Sequence, residues 1–158
     1  MAAAKGVHNS EVFILEYPLV DNALTAQAFL ALRASAGWIG ATEQQVQKGI
    51  DNCLFTVAAI KDDQIIGMGR LVGDGFLIWY IQDVIVLPEY QGKGIGKAIM
   101  KHLIAYIEAN SLPNTTVTVG LMSAKDKEAF YEKLGFRVRP NEKEGAGMVM
   151  NIPVKGTP

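Results

Sequence analysis

The chain has 158 residues, 49% apolar and 20% charged, with a formal net charge of -1. That composition suits one globular domain and excludes both a disordered chain and a general electrostatic grip on nucleic acid. A lone cysteine, Cys53, excludes an internal disulfide, and His8 and His102 lack metal-ligand spacing, so no metal is expected.

Residues 1–10 read as a loose terminus ahead of a single domain over 11–158. "MAAAKG" is too short for a secretory signal. The longest apolar run, "FLIWYI" at 76–81, falls far below the ~20 residues that span a bilayer. A cytoplasmic protein without a membrane partner is therefore the expectation. "EVFILEY" (11–17) reads as a first strand ended by Pro18. Asp21 is placed to cap a helix carrying Leu24, Phe29, Leu30 and Leu32, which should stop near "SAGW" at 35–38. Thr42 followed by Gln45 resembles a capping box that opens a second short helix, to about Gly49.

"CLFTVAAIK" and "QIIGMGRLV" flank Asp62-Asp63 and predict an antiparallel hairpin. A turn at "GDG" (73–75) leads into "FLIWYIQDVIVL" (76–87), the longest strand-like run. Its polar pair Gln82-Asp83 breaks the alternation between two apolar halves and predicts a β-bulge. Ile95, Ile99, Leu103, Tyr106 and Ile107 then recur at helical spacing, and the helix should end over Asn110 to Pro113. "TTVTVGL" (115–121) reads as a strand and "AKDKEAFYEKL" (124–134) as a helix closed by Gly135. "FRVR" and "GMVMNI" add two last strands. The order predicts a mixed α/β (α+β) domain with a six- to seven-stranded, mostly antiparallel sheet and flanking helices.

Three glycines, Gly92, Gly94 and Gly96, stand where the long strand hands over to a helix. Such a loop exposes backbone N–H groups at a helix N-terminus and attracts a phosphate, although a tight turn also demands glycine for its own geometry. A Walker loop is excluded, because three residues separate Gly92 from Gly96 and Ala98 follows Lys97. The dinucleotide fingerprint is excluded because Lys97 takes the third glycine's place. Lys93, Lys97 and Lys101 share one side of the helix start and could draw in phosphates or form a solvated face.

Gln91-Gly92-Lys93-Gly94-Ile95-Gly96 matches the pattern Q/R-x-x-G-x-G/A and resembles the coenzyme A pyrophosphate loop of the GNAT superfamily of N-acetyltransferases. "DVIVLPEY" (83–90) looks like that family's bulged fourth strand, and "AFYEKLGF" (129–136) like its later helix and the strand after it. The likeness covers the element order from about residue 11 to 152. It implies acetyl-CoA as cosubstrate, bound by residues 91–97, here Gln91, Gly92, Lys93, Gly94, Ile95, Gly96 and Lys97, and by Phe130. Backbone near Val84, Ile85 and Val86 would pair with the pantetheine arm, on an edge that the bulge splays from "TTVTVGL". An N–H there would polarise the thioester carbonyl.

The resemblance further implies that Tyr131 donates a proton to the leaving thiolate; a packed aromatic beside Phe130 is the alternative. Tyr80 and Gln82 align with positions where relatives carry basic or water-ordering side chains, and they are expected to hold a water chain. Asp83 either accepts a proton or satisfies backbone groups of the bulge, and Glu89 is expected to be exposed. One departure is Ala124, where many relatives carry asparagine, with Lys125 next to it as a partial replacement. The acceptor pocket is expected between the first helices and the long strand, lined by Trp38, Phe76, Trp79 and Met122 unless these pack in the core.

The expected function is acetyl-CoA-dependent transfer of acetyl to a primary amine of a small molecule, by direct attack in a ternary complex. Cys53 has no neighbouring histidine and is expected to be a core residue, not a nucleophile. A non-catalytic acyl-CoA-binding module and a protein-directed N-acetyltransferase are the alternatives. The last two strands could pair across a homodimer, by analogy with relatives.

Overall fold

The computed structural model describes residues 16–154. Five strands form one sheet in the order β1-β2-β3-β4-β5: Leu19–Asp21, Phe55–Lys61, Gln64–Gly73, Ile78–Val86 and Thr118–Leu121. The first three junctions are antiparallel, and β4 meets β5 in parallel. Helices α1 (Ala26–Ser35) and α2 (Glu43–Asp51) precede β2, α3 (Ile95–Asn110) joins β4 to β5, and α4 (Glu128–Glu132) follows β5. The parallel junction follows from that connection, since strands joined by a crossover helix run the same way. No helix is long and apolar enough to cross a membrane among the described residues.

The β2–β3 hairpin forms where Asp62-Asp63 marks it. Both aspartates take positive φ, 48° and 62°, the backbone that a two-residue hairpin turn requires. Thr42 caps α2 as expected, its hydroxyl accepting from Gln45 N at 3.1 Å, and the helix runs two residues beyond Gly49. Thr25, not Asp21, caps α1 by accepting from Ala28 N at 3.2 Å. Asp21 instead ends β1, and its carboxylate lies 2.6 Å from His102 Nε2, tying β1 to α3.

Other boundaries also move. Most of "EVFILEY" lies outside the described residues, Glu16 and Tyr17 form a bend, and β1 follows Pro18 rather than stopping at it. Residues 124–127 form a turn with Asp126 at φ 66°, so α4 starts later than its periodicity suggests. Its end is as expected: Phe136 N donates to Tyr131 O and Gly135 N to Glu132 O, with Gly135 at φ 95°. "FRVR" and "GMVMNI" are not strands, which leaves five rather than six or seven among the described residues. At "FRVR" a local network wins: the Asn141 side chain and the Arg137–Glu144 pair, at 2.9 Å, close residues 137–144 on themselves.

Both faces of the sheet are covered. On one, α3 presents Ile95, Ile99, Met100, Leu103 and Ile107 to Val57, Leu71, Trp79 and Ile81. On the other, α1 and α2 present Phe29, Leu32 and Val46 to Met68 and Ile85. In β4 the odd-numbered residues are buried throughout, yet Trp79 and Ile81 face α3 whereas Ile85 faces α1 and α2. An unbroken strand would keep them on one face. The strand therefore changes face between Ile81 and Ile85.

Candidate active site

The change of face is the bulge. Met68 pairs with Ile85 and Arg70 with Gln82, so Gly69 alone stands opposite both Asp83 and Val84. Asp83 has φ 52°, and its side chain is only 2% exposed. A carboxylate so deeply buried requires partners. Arg33 Nη1 from α1 donates to Oδ1 at 2.6 Å, and Arg70 Nε from β3 donates to Oδ2 at 2.8 Å. Asp83 is thus the anchor of an ion triad, which neither sequence expectation for it had foreseen. The arginines gave no local signal, because they reach Asp83 from two other elements; a charge inside an apolar strand was the only hint that partners must exist.

The bulge also decides what happens at the β5 edge. Parallel pairing runs from Ile78↔Thr118 to Ile81↔Leu121 and stops there. From Gln82 to Val86 the β4 edge has no β5 partner, so its outward N–H and C=O groups, apart from Val86 O, which accepts from Gln91 Nε2, are available to an extended ligand. Val84, Ile85 and Val86 all lie on that stretch. Ile85 is buried, whereas Val84 and Val86 are half-buried.

A single 3-10 turn, Pro88–Tyr90, carries the open edge into the glycine loop. Glu89 is exposed there. Gly92 and Gly94 have φ 76° and 81°, and a Cβ built on either meets nothing within 4 Å. Glycine therefore serves both readings at these two positions: the backbone is left-handed, and the space beside it is open. Gly96 differs, since it is helical, and a Cβ there would only touch Phe130 and Val86 at 3.7 and 3.8 Å. Gly94 caps α3, its carbonyl accepting from Ala98 N at 2.9 Å. No N–H of residues 92–97 has a protein acceptor among the described residues. Free N–H groups at the positive end of a helix dipole fit a diphosphate.

The side chains of this loop divide their tasks. Gln91 Nε2 donates to Val86 O at 2.9 Å and so ties the loop back to the open edge. Ile95, the first residue of α3, is buried in the core against the sheet, and Lys97 is exposed. Lys93 Nζ lies 5.1 Å from the centre of the Tyr90 ring, and Lys61 Nζ lies 5.4 Å from the same ring. Lys101 is exposed.

Phe130, the residue before Tyr131 in α4, packs against Gly96 and so brings that helix to the start of α3. Tyr131 is half-buried between Phe130 and Phe136, with ring centres 5.0 and 6.2 Å away and both edge-on. Burial pushes its phenol pKa up, which keeps the proton on at neutral pH. Ala124 and Lys125 are exposed in the turn ahead of α4.

Tyr80 and Gln82 share one face of the sheet with Val72 and Arg70, their cross-strand partners. The Tyr80 ring lies over Gly120 of β5, where a Cβ would come within 3.0 Å of it. Burial raises the Tyr80 phenol too. Trp38 stands after α1, 39% exposed, with the Arg33 guanidinium 5.5 Å from its ring. Phe76 and Met122 are exposed. Trp79 takes the second of its two readings, core packing: it is buried on the α3 face, edge-on to Tyr106 at 6.3 Å. Strand parity puts it opposite to Tyr80. Cys53 is half-buried, and burial raises its thiol pKa, which disfavours the thiolate that a nucleophile needs.

Comparison with known proteins agrees with this geometry. The family model of the acetyltransferase (GNAT) domain matches residues 23–151. An uncharacterized N-acetyltransferase, ycf52, of Pyropia yezoensis is 27% identical over 115 residues, covering 70% of this chain and 64% of that protein. The chain thus spans less than two thirds of that relative's length. Serotonin N-acetyltransferase 2, chloroplastic, of Oryza sativa subsp. japonica is 26% identical over 143 residues, covering 79% of this chain and 70% of its own. Among solved structures, a probable acetyltransferase of unknown function from meticillin-resistant Staphylococcus aureus superposes with a TM-score of 0.76. It is 35% identical and covers 86% of this chain and 99% of its own. With the bulged strand, the glycine loop and the family match over most of its length, the chain belongs to the GNAT acetyltransferase family.

Proposed function

We propose that the protein transfers an acetyl group from acetyl-CoA to the primary amine of a small molecule, by direct attack in a ternary complex. The observation that carries this reading is the end of β4–β5 pairing at Ile81↔Leu121, which leaves an open strand edge running into a loop of unpaired N–H groups. Residues 92–97 would hold the diphosphate through main-chain N–H, and residues 84–86 would pair with the amides of the pantetheine arm. Acetyl-CoA supplies the activated acyl group. An N–H of the open edge, aimed at the thioester oxygen, would contribute roughly 3 kcal/mol to the transition state.

Tyr131 serves as the acid that returns a proton to the departing sulfur, and its burial keeps it protonated for that task. Tyr80 and Gln82, on the face covered by α1 and α2, order the water that takes the amine's proton. The rice relative is named for serotonin, a small primary amine, which supports a small acceptor, whereas a Glycine max relative 35% identical over 82 residues is named a histone acetyltransferase.

Thermal shift with acetyl-CoA, CoA and ATP tests the first half. A ligand at a hundredfold excess over Kd stabilises by about 2.7 kcal/mol, enough to raise the melting temperature by several degrees. Stabilisation by ATP but not by acetyl-CoA would reject the loop assignment. A thiol-release assay over an amine panel tests the second half, with turnover above hydrolysis expected for at least one small amine.

A further inference from the structure

The ion triad holds more positive charge than the bulge uses. Asp83 is one carboxylate, and Arg33 and Arg70 are two guanidiniums, so the cluster carries a net charge of +1. Neither arginine has a second carboxylate within 4.0 Å among the described residues. A guanidinium offers several N–H donors, and each arginine spends one nitrogen on Asp83. Arg33 Nε is buried without any partner, an arrangement that is costly unless something else satisfies the group.

The spare donors lie beside the groups assigned to the amine. Arg70 pairs across the strands with Gln82, and Val72 with Tyr80, so all four share one face, and α1 brings Arg33 to it from above. The two side chains are 27% and 20% exposed, so a ligand can meet the outer part of each, although not Arg33 Nε, which is buried. Their orientation is fixed by aromatic rings: Arg33 lies 5.7 Å from the Phe29 ring centre and 5.5 Å from that of Trp38, and Arg70 lies 5.7 Å from Phe29. One arginine would suffice to neutralise Asp83. The second leaves a preorganised, partly desolvated positive site that matches a single negative charge.

We propose that Arg33 and Arg70 read a carboxylate on the acceptor, so that the substrate is an amine that also carries a carboxylate: an amino acid in the broad sense. The inference rests on the acetyl-transfer reading and names its substrate class. A monoanion balances the cluster, whereas a phosphate dianion would overshoot it. The same charge repels diamines and polyamines. It also separates this chain from the rice relative, since serotonin has no carboxylate.

The test is thiol release with acetyl-CoA and matched pairs of acceptors: phenylalanine with phenethylamine, tryptophan with tryptamine, and γ-aminobutyrate with propylamine. In at least one pair kcat/KM is expected to favour the acid by about tenfold or more, because a site built to bond a polar group rejects the analogue lacking it. Arg33→Gln and Arg70→Gln are each expected to pull that ratio toward one, mainly through the KM of the acid. A purely structural role would lower both members of a pair together and leave the ratio standing, which overturns the inference. So does a wild-type ratio of one or below in every pair, a result that needs no variant to fold. Turnover confined to the amines without an acid group sinks this inference but leaves acetyl transfer intact; no thiol release with any amine sinks both.

Discussion

The glycine loop and α4 meet at Gly96 and Phe130, yet they present different chemistry. Residues 92–97 offer main chain: N–H groups without protein acceptors among the described residues, left-handed backbone at Gly92 and Gly94, and open space beside both. α4 offers one side chain, the Tyr131 phenol, fixed by rings on two sides. The first arrangement recognises charge and shape in a ligand that need not react. The second can act only on a group brought to it. Binding and chemistry should therefore be separable by mutation, the loop governing affinity and the helix governing turnover.

The largest effect is expected at the loop. Gly94→Asp places a carboxylate in the empty space beside an N–H cradle. Aspartate is among the few residues that tolerate a left-handed backbone, so the loop can keep its shape while its charge is inverted. Repulsion of two charges near a protein surface is of the order of 4 kcal/mol at contact distance, which corresponds to about a thousandfold loss of acetyl-CoA affinity by calorimetry. Retained affinity would break the comparison at its stronger side.

Tyr131→Phe is expected to do the reverse. It removes the proposed proton donor without emptying the space between Phe130 and Phe136, so turnover should fall about a hundredfold while coenzyme affinity holds. The pH dependence has a definite sign. Because burial raises the phenol pKa, its acid form persists above the ordinary range near ~10, and wild-type turnover should fall only as pH rises through that raised value. A steady-state pH profile that loses its alkaline limb in the phenylalanine variant supports the assignment. Equal turnover in both proteins would reduce Tyr131 to a packing residue.

The two regions were also unequally legible in the sequence. The loop declared itself because its conformation is local: glycines fix the backbone, and a helix start fixes the direction of the N–H groups. The bulge was legible for the same reason, through Gln82-Asp83 inside an apolar run. What held the bulge was not, since Arg33 and Arg70 come from α1 and β3 and only folding brings them to one carboxylate. Trp79 had two readings, pocket wall and core, and only the fold chose the core. It shares burial with Ile85, and nothing in the alternation of β4 tells that the bulge sends the two to opposite faces. "FRVR" has strand-like composition, but a strand needs a neighbour, and Arg137, Asn141 and Glu144 find local partners first. α4 has helical spacing from Ala124 onward without a capping side chain, and the helix starts only at Glu128.

The smallest effect sharpens the comparison from within the loop. Gln91 is exposed and gives its side chain not to open space but to Val86 O, at 2.9 Å. Its contribution is then to hold the loop against the strand edge, so that the proposed diphosphate cradle and the proposed pantetheine edge are set at one fixed separation. A single such bond is worth about 1 kcal/mol when one end remains in water. Gln91→Ala should weaken acetyl-CoA by roughly fivefold. The loss should be smaller for a short diphosphate such as ADP, which touches the cradle without reaching the edge. Equal losses for both ligands would mean that Gln91 meets the phosphates directly. In that case the loop would recognise its ligand through a side chain as well as through bare main chain.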